Sequence, residues 1–302
     1  MTTSTVFRFM AAIGLSVALA ACSTSRPVEV LRVAPVQTNS KQAAIVVDAS
    51  TGRTLYASAA DQPRFPASLT KMMTLYLLFE ALDQGRVTKH TMIPVSAYAA
   101  SRPPSNLRLK AGQSMDVDTA IRALVVKSAN DVAAAVGEHL AGSEAAFAAL
   151  MTGRARSIGM TRTTFRNASG LPDPGQMTCA RDMALLGLAL KRRFPHHYHY
   201  FSARDFVFGG KLVRGHNRLL ETGGVDGIKT GYIRASGFNV VTSYTGNGKR
   251  LVVAVMGGDT ANERNAQVRA LIDRYAGPPV GFVNVAASPV AAAPLQGAGD
   301  AD

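Results

Sequence analysis

The chain has 302 residues, of which 47% are hydrophobic and 18% charged, which is enough apolar material for a folded core and excludes a wholly disordered protein. Its two cysteines exclude a disulfide-stapled scaffold and a four-cysteine zinc site. The formal net charge of +13 favours anionic partners without naming one.

The N-terminus contains a predicted export signal. Arg8 is the one charged residue before an apolar run over residues 10–21. This run is shorter than the roughly 20 residues of a membrane-spanning helix. A basic start, a short apolar core and small residues at its end predict a signal peptide over residues 1–21. We therefore expect a periplasmic protein whose anionic partners are envelope polymers and not nucleic acid.

A cysteine follows this signal directly. Residues 19–22, Leu-Ala-Ala-Cys, resemble a bacterial lipobox, which implies cleavage before Cys22 and attachment of acyl chains to it. Such chains would anchor the protein to the inner or the outer membrane. Residues 18–20, Ala-Leu-Ala, equally suit signal peptidase I, which would release a soluble protein. The position of Cys22 favours lipidation, and both routes stay open.

Composition divides the rest of the chain into three parts. Residues 22–41 are rich in Ser, Thr, Pro, Val and Gln without periodicity and predict a tether. Residues 277–302 consist almost entirely of Ala, Pro, Gly and Val and predict a disordered tail. The block over residues 42–276 has no linker-like segment and predicts one folded domain that carries the candidate site.

The predicted elements begin with a β-hairpin over Ala43–Val47 and Arg53–Tyr56. Helices are then predicted over Met72–Leu82, Asp118–Val126, Asp131–Leu140, Glu144–Ile158, Cys179–Arg193 and Ala261–Tyr275. Strands over Gly237–Thr245 and Leu251–Met256 precede the last helix. This order predicts an α+β fold, in which N- and C-terminal strands build an antiparallel sheet and a helical subdomain is inserted between them.

The first candidate motif lies at the start of the apolar helix. Ser68 and Lys71 are three positions apart, which places them on one helix face about a turn apart. A serine hydroxyl needs a base to become a good nucleophile, and an amine whose pKa is lowered by burial can take its proton. Burying a charged lysine at the start of such an apolar helix costs free energy, which is unexpected unless the lysine has a function. The motif therefore favours nucleophilic catalysis.

Two further short motifs follow downstream. Ser128-Ala-Asn130 offers a second hydroxyl for proton transfer and a carboxamide for gripping a peptide, although Asn130 could equally cap the helix after it. Lys229-Thr-Gly231 precedes a β-rich run, where the glycine would let another backbone approach the strand closely. For this third motif, Lys-Thr-Gly, an ordinary edge strand with a solvated lysine is the alternative interpretation.

Taken together, the motifs occur in the order Ser-x-x-Lys, Ser-x-Asn, Lys-Thr-Gly. This set resembles the serine penicillin-recognising enzymes, and most closely the serine D-alanyl-D-alanine carboxypeptidases, which are low-molecular-mass penicillin-binding proteins. The likeness spans Ala43–Arg274 and implies a β-lactamase/transpeptidase-like fold. It also implies removal of the terminal D-Ala from peptidoglycan stem pentapeptides, with no cofactor and no metal.

The resemblance implies catalytic roles for three residues. Ser68 would attack the carbonyl between the two D-alanines, and Lys71 would be its base. Ser128 and Lys71 would return the proton to the departing D-alanine. The backbone N–H groups of Ser68 and Tyr232 would form the oxyanion hole.

Substrate-binding roles follow from the same resemblance. Asn130 would orient the acyl side of the stem peptide, and Lys229 would supply positive potential. Thr230 and Arg218 would hold the free C-terminal carboxylate, Arg218 by a two-pronged contact. This requirement for a free carboxylate would make the enzyme a carboxypeptidase and not a general peptidase.

β-Lactam antibiotics are expected to act as covalent inhibitors, because penicillin mimics the terminal dipeptide and should acylate Ser68. Related β-lactamases carry a Glu-x-x-Leu-Asn loop whose glutamate activates the deacylating water. The glutamates between Asn130 and Lys229 lack that context; they are Glu138, Glu144 and Glu221. We therefore predict a long-lived acyl-enzyme.

Two other functions remain open from the sequence. A D,D-endopeptidase would cut peptidoglycan cross-links with the same residues. A non-catalytic lipoprotein would bind peptidoglycan without turnover, although such a module has no need of an amine beside Ser68. Outside the motifs, the histidines at His196–His199 fit a surface loop better than a metal site. Cys179 is predicted to be structural, with a somewhat reactive thiol at a helix start.

Overall fold

The structure of the protein is a computed structural model, and it describes residues 41–277. The predicted signal peptide, Cys22, the tether before Lys41 and the tail after Gly277 lie outside the described residues. Within residues 41–277, none of the helices combines the length and the apolar character that crossing a bilayer requires.

The elements follow the chain in this order. The strands are β1 (Ala43–Asp48), β2 (Thr54–Ser58), β3 (Met92–Pro94), β4 (Ser114–Asp116), β5 (Asp205–Phe208), β6 (Lys211–Arg214), β7 (Val225–Ile233), β8 (Gly237–Gly246) and β9 (Lys249–Gly258). The α-helices are α1 (Lys71–Asp83), α2 (Ala97–Ala100), α3 (Val117–Arg122), α4 (Asn130–Ala141), α5 (Glu144–Ser157), α6 (Ala180–Arg193) and α7 (Ala261–Ala276). Short 3-10 turns occupy Ala67–Thr70, Tyr198–Ser202 and Arg218–Glu221, and a π-helical turn occupies Ala123–Lys127.

The main sheet joins the two ends of the domain, as the sequence predicts. Its strand order is β2-β1-β9-β8-β7, and each neighbouring pair is antiparallel. The N-terminal strand β1 therefore pairs with the C-terminal strand β9, with Ala43 opposite Met256. The helical subdomain lies in sequence between β2 and β7. The predicted α+β fold class is confirmed.

Helices cover both faces of this sheet. Val253 and Val255 of β9 pack with Val268 of α7 in one apolar cluster. Val252 and Ala254 of the same strand belong to the larger cluster on the other face, which contains α1 and α6. Alternate residues of a strand point to opposite faces, so β9 is apolar throughout because it is covered on both sides.

The predicted helices agree with the observed ones within about two residues, except at one end. Helix α3 stops at Arg122, and the chain continues as the π-helical turn Ala123–Lys127 instead of the predicted helix to Val126. Cys179 is the N-cap of α6, where its sulfur accepts from the Asp182 amide. Burial raises the pKa of the Cys179 thiol to about 11, so the expected reactivity of this thiol is wrong.

A hairpin formed by β5 and β6 is not predicted by the sequence pattern. Its strands are short, and Gly209 and Gly210 make the turn between them with positive φ. One outward position on each strand is an exposed apolar residue, Val207 at 67% and Leu212 at 55%. The hairpin therefore lacks the alternation of buried apolar and exposed polar residues by which a strand is recognised.

Candidate active site

The first motif lies on a tight turn that precedes α1. Residues Ala67–Thr70 form a 3-10 turn after Pro66, and Lys71 begins the helix. Ala67 has a φ of +49°, which an L-residue adopts at a cost of about 1–3 kcal/mol. Ser68 is half-buried on this turn and borders the main groove. The turn therefore presents the Ser68 hydroxyl to the groove from a strained backbone.

The third motif packs against the back of this turn. A Cβ on Gly231 would lie 3.1 Å from the backbone nitrogens of Ser68 and Leu69. A Cβ at this distance is tighter than ordinary van der Waals contact and would push the turn by a few tenths of an ångström, which is the close backbone approach that the sequence predicts for this glycine. Strand β7 is thus in direct contact with the turn Ala67–Thr70, which we call the serine turn.

A second glycine also lies against this turn. Gly170 has a φ of +87°, and a Cβ there would lie 1.8 Å from the Ala67 carbonyl oxygen. Only glycine fits this position, both for its backbone conformation and for the space available. Gly170 also follows Ser169, whose carbonyl oxygen contacts Lys71.

The Lys71 side chain is fully buried and contacts three oxygen atoms. Its Nζ lies 2.7 Å from Asn130 Oδ1, 2.6 Å from the Ser169 carbonyl oxygen and 3.3 Å from Ser68 Oγ. These contacts join residues from the first motif, the second motif and the loop before Gly170. The Lys71 amine therefore links the three segments that form the candidate site.

The orientation of Asn130 is fixed by a second contact. Its Nδ2 donates to the Pro103 carbonyl oxygen at 2.8 Å. Because a carbonyl only accepts, the amide nitrogen must face Pro103 and Oδ1 must face Lys71. The alternative role of Asn130 as a helix cap is wrong, since Asn130 is the first residue of α4 and Ala129 occupies the cap position.

These partners determine what a neutral amine at Lys71 can do. A neutral amine has two N–H bonds and one lone pair. Asn130 Oδ1 and the Ser169 carbonyl oxygen can only accept, so they take both N–H groups. The lone pair is left for the third neighbour, and the Ser68 hydroxyl then donates its proton to Lys71 Nζ. The geometry is that of a base beside its nucleophile.

Burial favours this neutral form. It lowers the pKa of Lys71 well below the usual value, and the positive charge of Lys229 lowers this pKa further. The carboxylates of Asp131 and Glu144 act in the opposite direction without reversing the shift. Each is already engaged by other groups: Asp131 accepts from the amides of the 107–109 segment, and Glu144 accepts from the Ala168 amide.

The loop that contacts Lys71 is held from both sides. The Thr74 hydroxyl donates to the Ala168 carbonyl oxygen at 2.6 Å, and the Ala168 amide donates to Glu144 Oε1 at 2.9 Å. Tyr98 OH donates to the other oxygen of Glu144 at 2.5 Å. The Ser169 carbonyl is thereby fixed in position to receive an N–H of Lys71.

Ser128 lies at the end of the π-helical turn and also borders the groove. Its φ of +58° is in the left-handed region, which is uncommon for serine. Its Oγ is buried and has no hydrogen-bond partner among the described residues. An unpartnered buried hydroxyl costs about 1–3 kcal/mol, so it is a group that a bound ligand can satisfy.

The groove itself has a volume of about 420 Å³. The predicted site residues that border it are Ser68, Ser128, Asn130, Thr230 and Tyr232. None of its lining residues within the described range is acidic. Lys229 is buried behind Thr230, where its Nζ donates to the Thr230 carbonyl oxygen at 2.9 Å. Burial and the charge of Arg264 lower the pKa of Lys229 to about 7.

Arg218 is not where the resemblance predicts it. Its side chain is 80% exposed, its Nη1 lies 3.7 Å from Glu221 Oε1, and it borders a neighbouring cavity of about 290 Å³ instead of the groove. The physical reason is the 3-10 turn that begins at Arg218, because this turn buries Leu219 and leaves its first residue outside. His216 borders the groove in its place.

Two site residues were missed from the sequence. Asn239 of β8 donates through Nδ2 to the carbonyl oxygens of Phe65 and Pro66, at 3.0 and 3.3 Å. Arg264 of α7 donates to the Asn239 carbonyl oxygen at 2.8 Å and borders the groove. They fix the serine turn to the sheet, and no local pattern identifies them because their partners are about 170 and 25 residues away.

Comparison with known proteins agrees with this geometry. A family model described as D-alanyl-D-alanine carboxypeptidase, peptidase family S11, matches residues 29–260. The D-alanyl-D-alanine carboxypeptidase DacA of Escherichia coli is 37% identical over 236 residues, which are 76% of this chain and 59% of that relative. The chain therefore spans less than two thirds of the length of that relative.

Solved structures share the fold. Penicillin-binding protein 5 of Haemophilus influenzae is 34% identical with a TM-score of 0.75, over 80% of this chain and 72% of that one. Penicillin-binding protein D2 of Listeria monocytogenes, in its cefotaxime-bound form, is 29% identical with a TM-score of 0.68, over 80% and 99%. Since the family match covers most of the chain, this protein belongs to the D-alanyl-D-alanine carboxypeptidase family.

Proposed function

We propose that the protein is a serine D-alanyl-D-alanine carboxypeptidase that removes the terminal D-Ala from peptidoglycan stem pentapeptides. The observation that carries this proposal is the environment of Lys71, where two fixed acceptors leave the amine lone pair for the Ser68 hydroxyl. The family and the name of the E. coli relative support the substrate class.

Acylation begins with proton transfer from Ser68 Oγ to Lys71 Nζ. The oxygen attacks the carbonyl between the two D-alanines, and a C–O bond forms as the tetrahedral intermediate takes its negative charge. The backbone N–H groups of Ser68 and Tyr232 face this oxyanion, and each such donor is worth roughly 3–4 kcal/mol. The close approach of Gly231 to the serine turn supports this pairing, because it brings the backbone of β7 next to the backbone of Ser68.

Collapse of the intermediate breaks the C–N bond. The departing amine needs a proton, which passes from Lys71 through the Ser128 hydroxyl. The unpartnered Oγ of Ser128 supports this role, because the leaving amine would be its missing partner. A water then gives a proton to Lys71 and attacks the acyl carbon, and Ser68 leaves with a proton as the tetrapeptide is released.

Binding of the free carboxylate falls to Thr230 and to the positive potential of Lys229. Thr230 borders the groove, and the buried Lys229, which precedes it in β7, lines the neighbouring cavity. Asn130 orients the acyl side of the substrate while its Oδ1 holds Lys71. Arg218 would have to leave its outward position to take part, so the carboxylate contact that the resemblance implies for it is not carried into this proposal.

β-Lactams would acylate Ser68 in the same groove and remain attached. The structure of the L. monocytogenes relative in its cefotaxime-bound form supports recognition of this class of antibiotic. The absence of acidic residues among the groove lining of residues 41–277 supports slow deacylation of the β-lactam adduct, because no carboxylate there can add to Lys71 as a base for the attacking water.

The activity is tested by incubating the purified protein with a monomeric stem pentapeptide and with a cross-linked dimer. We expect release of D-Ala and a tetrapeptide from the monomer, and little cleavage of the dimer. Ser68→Ala is the matched control and should release no D-Ala. Preferential cleavage of the dimer would instead indicate the endopeptidase, and no cleavage of either would indicate a binding protein.

We also propose that the protein is periplasmic and lipid-anchored through Cys22. The Leu-Ala-Ala-Cys sequence at residues 19–22 supports this anchor. Metabolic labelling with a palmitate analogue tests it: wild type should incorporate label and fractionate with membranes, whereas Cys22→Ala should not. Unlabelled wild type with its N-terminus at residue 21 would show processing by signal peptidase I.

A further inference from the structure

Three side chains that could ligate a metal meet at the C-terminal end of α1, the end away from Lys71. Asp83 is the last residue of α1, and His196 and His197 follow α6. The two histidines are more than 110 positions from Asp83 in the chain, so the sequence gives no sign that an acid accompanies them. The histidines alone favour a plain surface loop, and Asp83 is the acidic residue that a metal site would also need.

The three ligand atoms converge on one point. His196 Nε2 lies 2.8 Å from Asp83 Oδ1, and His197 Nε2 lies 3.0 Å from the same oxygen. All three atoms lie within 4.8 Å of one another. The ring of His197 is stacked on Phe79 at 4.9 Å, which fixes the direction of its Nε2.

These spacings suit a tetrahedral zinc ion. Zinc binds histidine nitrogen and carboxylate oxygen at about 2.0–2.1 Å, so neighbouring ligand atoms of a tetrahedron are about 3.3 Å apart. The two N–O distances need to lengthen by about 0.3–0.5 Å, and the two nitrogens, which lie within 4.8 Å of each other, need to reach the same spacing by rotation of the exposed His196 ring. His196 is 58% exposed and Asp83 33% exposed, so the ion can enter from solvent and water can take the fourth position.

We propose that Asp83, His196 and His197 bind one Zn²⁺ ion, with the two Nε2 atoms and Oδ1 as ligands. Each imidazole would keep its remaining proton on Nδ1. The ion would join the C-terminal end of α1, the helix that begins with Lys71, to the segment that follows α6. It lies apart from the groove and takes no part in the peptidase chemistry, so its role is to stabilise the fold.

The proposal is tested on the whole protein, purified without a polyhistidine tag and stripped of metal by a chelator. Titration with zinc chloride in a calorimeter should show one ion per chain. At free zinc about 100-fold above the dissociation constant, the melting temperature should rise by roughly 5–10 °C. Cobalt(II) should give the visible absorption of a tetrahedral site.

Variants separate this site from unspecific binding. His196→Ala and Asp83→Asn should each weaken zinc binding at least 10-fold and abolish the thermal shift. The matched control is His90→Ala, which removes an exposed histidine outside the cluster and should bind zinc as the wild type does. His196 is exposed, so its replacement leaves the fold intact. No stoichiometric binding by wild type, or wild-type binding by both cluster variants, would overturn the proposal.

Discussion

Among single residues, Lys71 controls the proposed chemistry through its protonation state. The amine serves as a base only when neutral, and burial together with the charge of Lys229 lowers its pKa well below the usual value, which favours the neutral form. Acylation by penicillin should therefore slow as the pH falls through this pKa. Lys71→Arg should acylate about 10²–10⁴-fold more slowly at every pH, because the guanidinium does not release its proton.

The charge of Lys229 gives this prediction a second test. Lys229 lowers the pKa of Lys71, so Lys229→Gln should raise the pKa of Lys71 and move the acid limb of the acylation profile to higher pH. The effect should be largest below pH 7, where Lys229 itself carries its charge in the wild type, since its own pKa is about 7. Rates of labelling by a fluorescent penicillin between pH 5 and 9 measure the acid limb in the wild type and in Lys229→Gln. An acid limb at the same pH in both proteins would contradict the assignment of Lys71 as the base.

Thr230 and Arg218 are the two candidates for binding the substrate carboxylate. Thr230→Val removes a hydroxyl from the groove and should raise KM for the pentapeptide at least 10-fold. Arg218→Gln should change KM by less than about 3-fold, because the side chain is 80% exposed and an exposed charge contributes little. Steady-state kinetics of D-Ala release decide, and a larger effect from Arg218→Gln than from Thr230→Val would restore Arg218 to the carboxylate site.

At the scale of elements, the serine turn is held in place by its neighbours. Gly170→Ala should lower the acylation rate at least 100-fold and reduce the free energy of unfolding by more than about 2 kcal/mol, because the new Cβ would collide with the Ala67 carbonyl. The matched control is Gly142→Ala, which has a similar φ of +79° but nothing within 4 Å. It should cost about 1 kcal/mol and leave acylation unchanged.

Urea unfolding and penicillin labelling of both glycine variants provide the measurement. Both variants place alanine at a positive φ, but only Gly170→Ala adds a collision with the Ala67 carbonyl. The difference in stability and acylation rate between them therefore measures the effect of that collision. Equal acylation by the two variants would show that the close approach of Gly170 to the turn is not needed.

Elements with strong local signals were predictable from the sequence, and those set by packing were not. The apolar helix over Met72–Leu82 and the apolar strand over Leu251–Met256 appear with nearly the predicted bounds, because burial on all sides leaves an unbroken apolar run. The π-helical turn Ala123–Lys127 was predicted as plain helix, since its residues have ordinary helical composition.

The same distinction holds for the site. Ser68 and Lys71 are a local pair, and their contact follows from helical spacing. Asn239 and Arg264 act through backbone atoms distant in the chain, which no spacing reveals. Arg218 was assigned by resemblance alone, and the conformation of its own short turn overrides that assignment.

At the scale of the whole molecule, a buried acid links three helices. Glu80 of α1 is 4% exposed at its side chain and binds Arg154 of α5 at 2.7 Å and Arg193 of α6 at 3.1 Å. Glu80→Gln should lower the free energy of unfolding by about 1–3 kcal/mol, because a neutral amide leaves these arginines partly unpaired. The kinetics of penicillin labelling should not change, since Glu80 is outside the groove.

The control for this network is an exposed pair of similar geometry. Asp61 binds Arg181 at 2.8 Å with both side chains more than one third exposed. Asp61→Asn should cost less than about 1 kcal/mol in the same urea unfolding experiment. A Glu80→Gln variant as stable as Asp61→Asn would show that the buried network does not hold the helices together.

In the proposed function, Ser68 is activated by Lys71 and forms a covalent bond with its substrate. Intact-protein mass spectrometry after incubation with penicillin, followed by peptide mapping, measures this directly. We predict one penicilloyl group per chain, located on Ser68, stable for many minutes, and absent from Ser68→Ala. An unmodified wild type, or an adduct that persists in Ser68→Ala, would contradict the account.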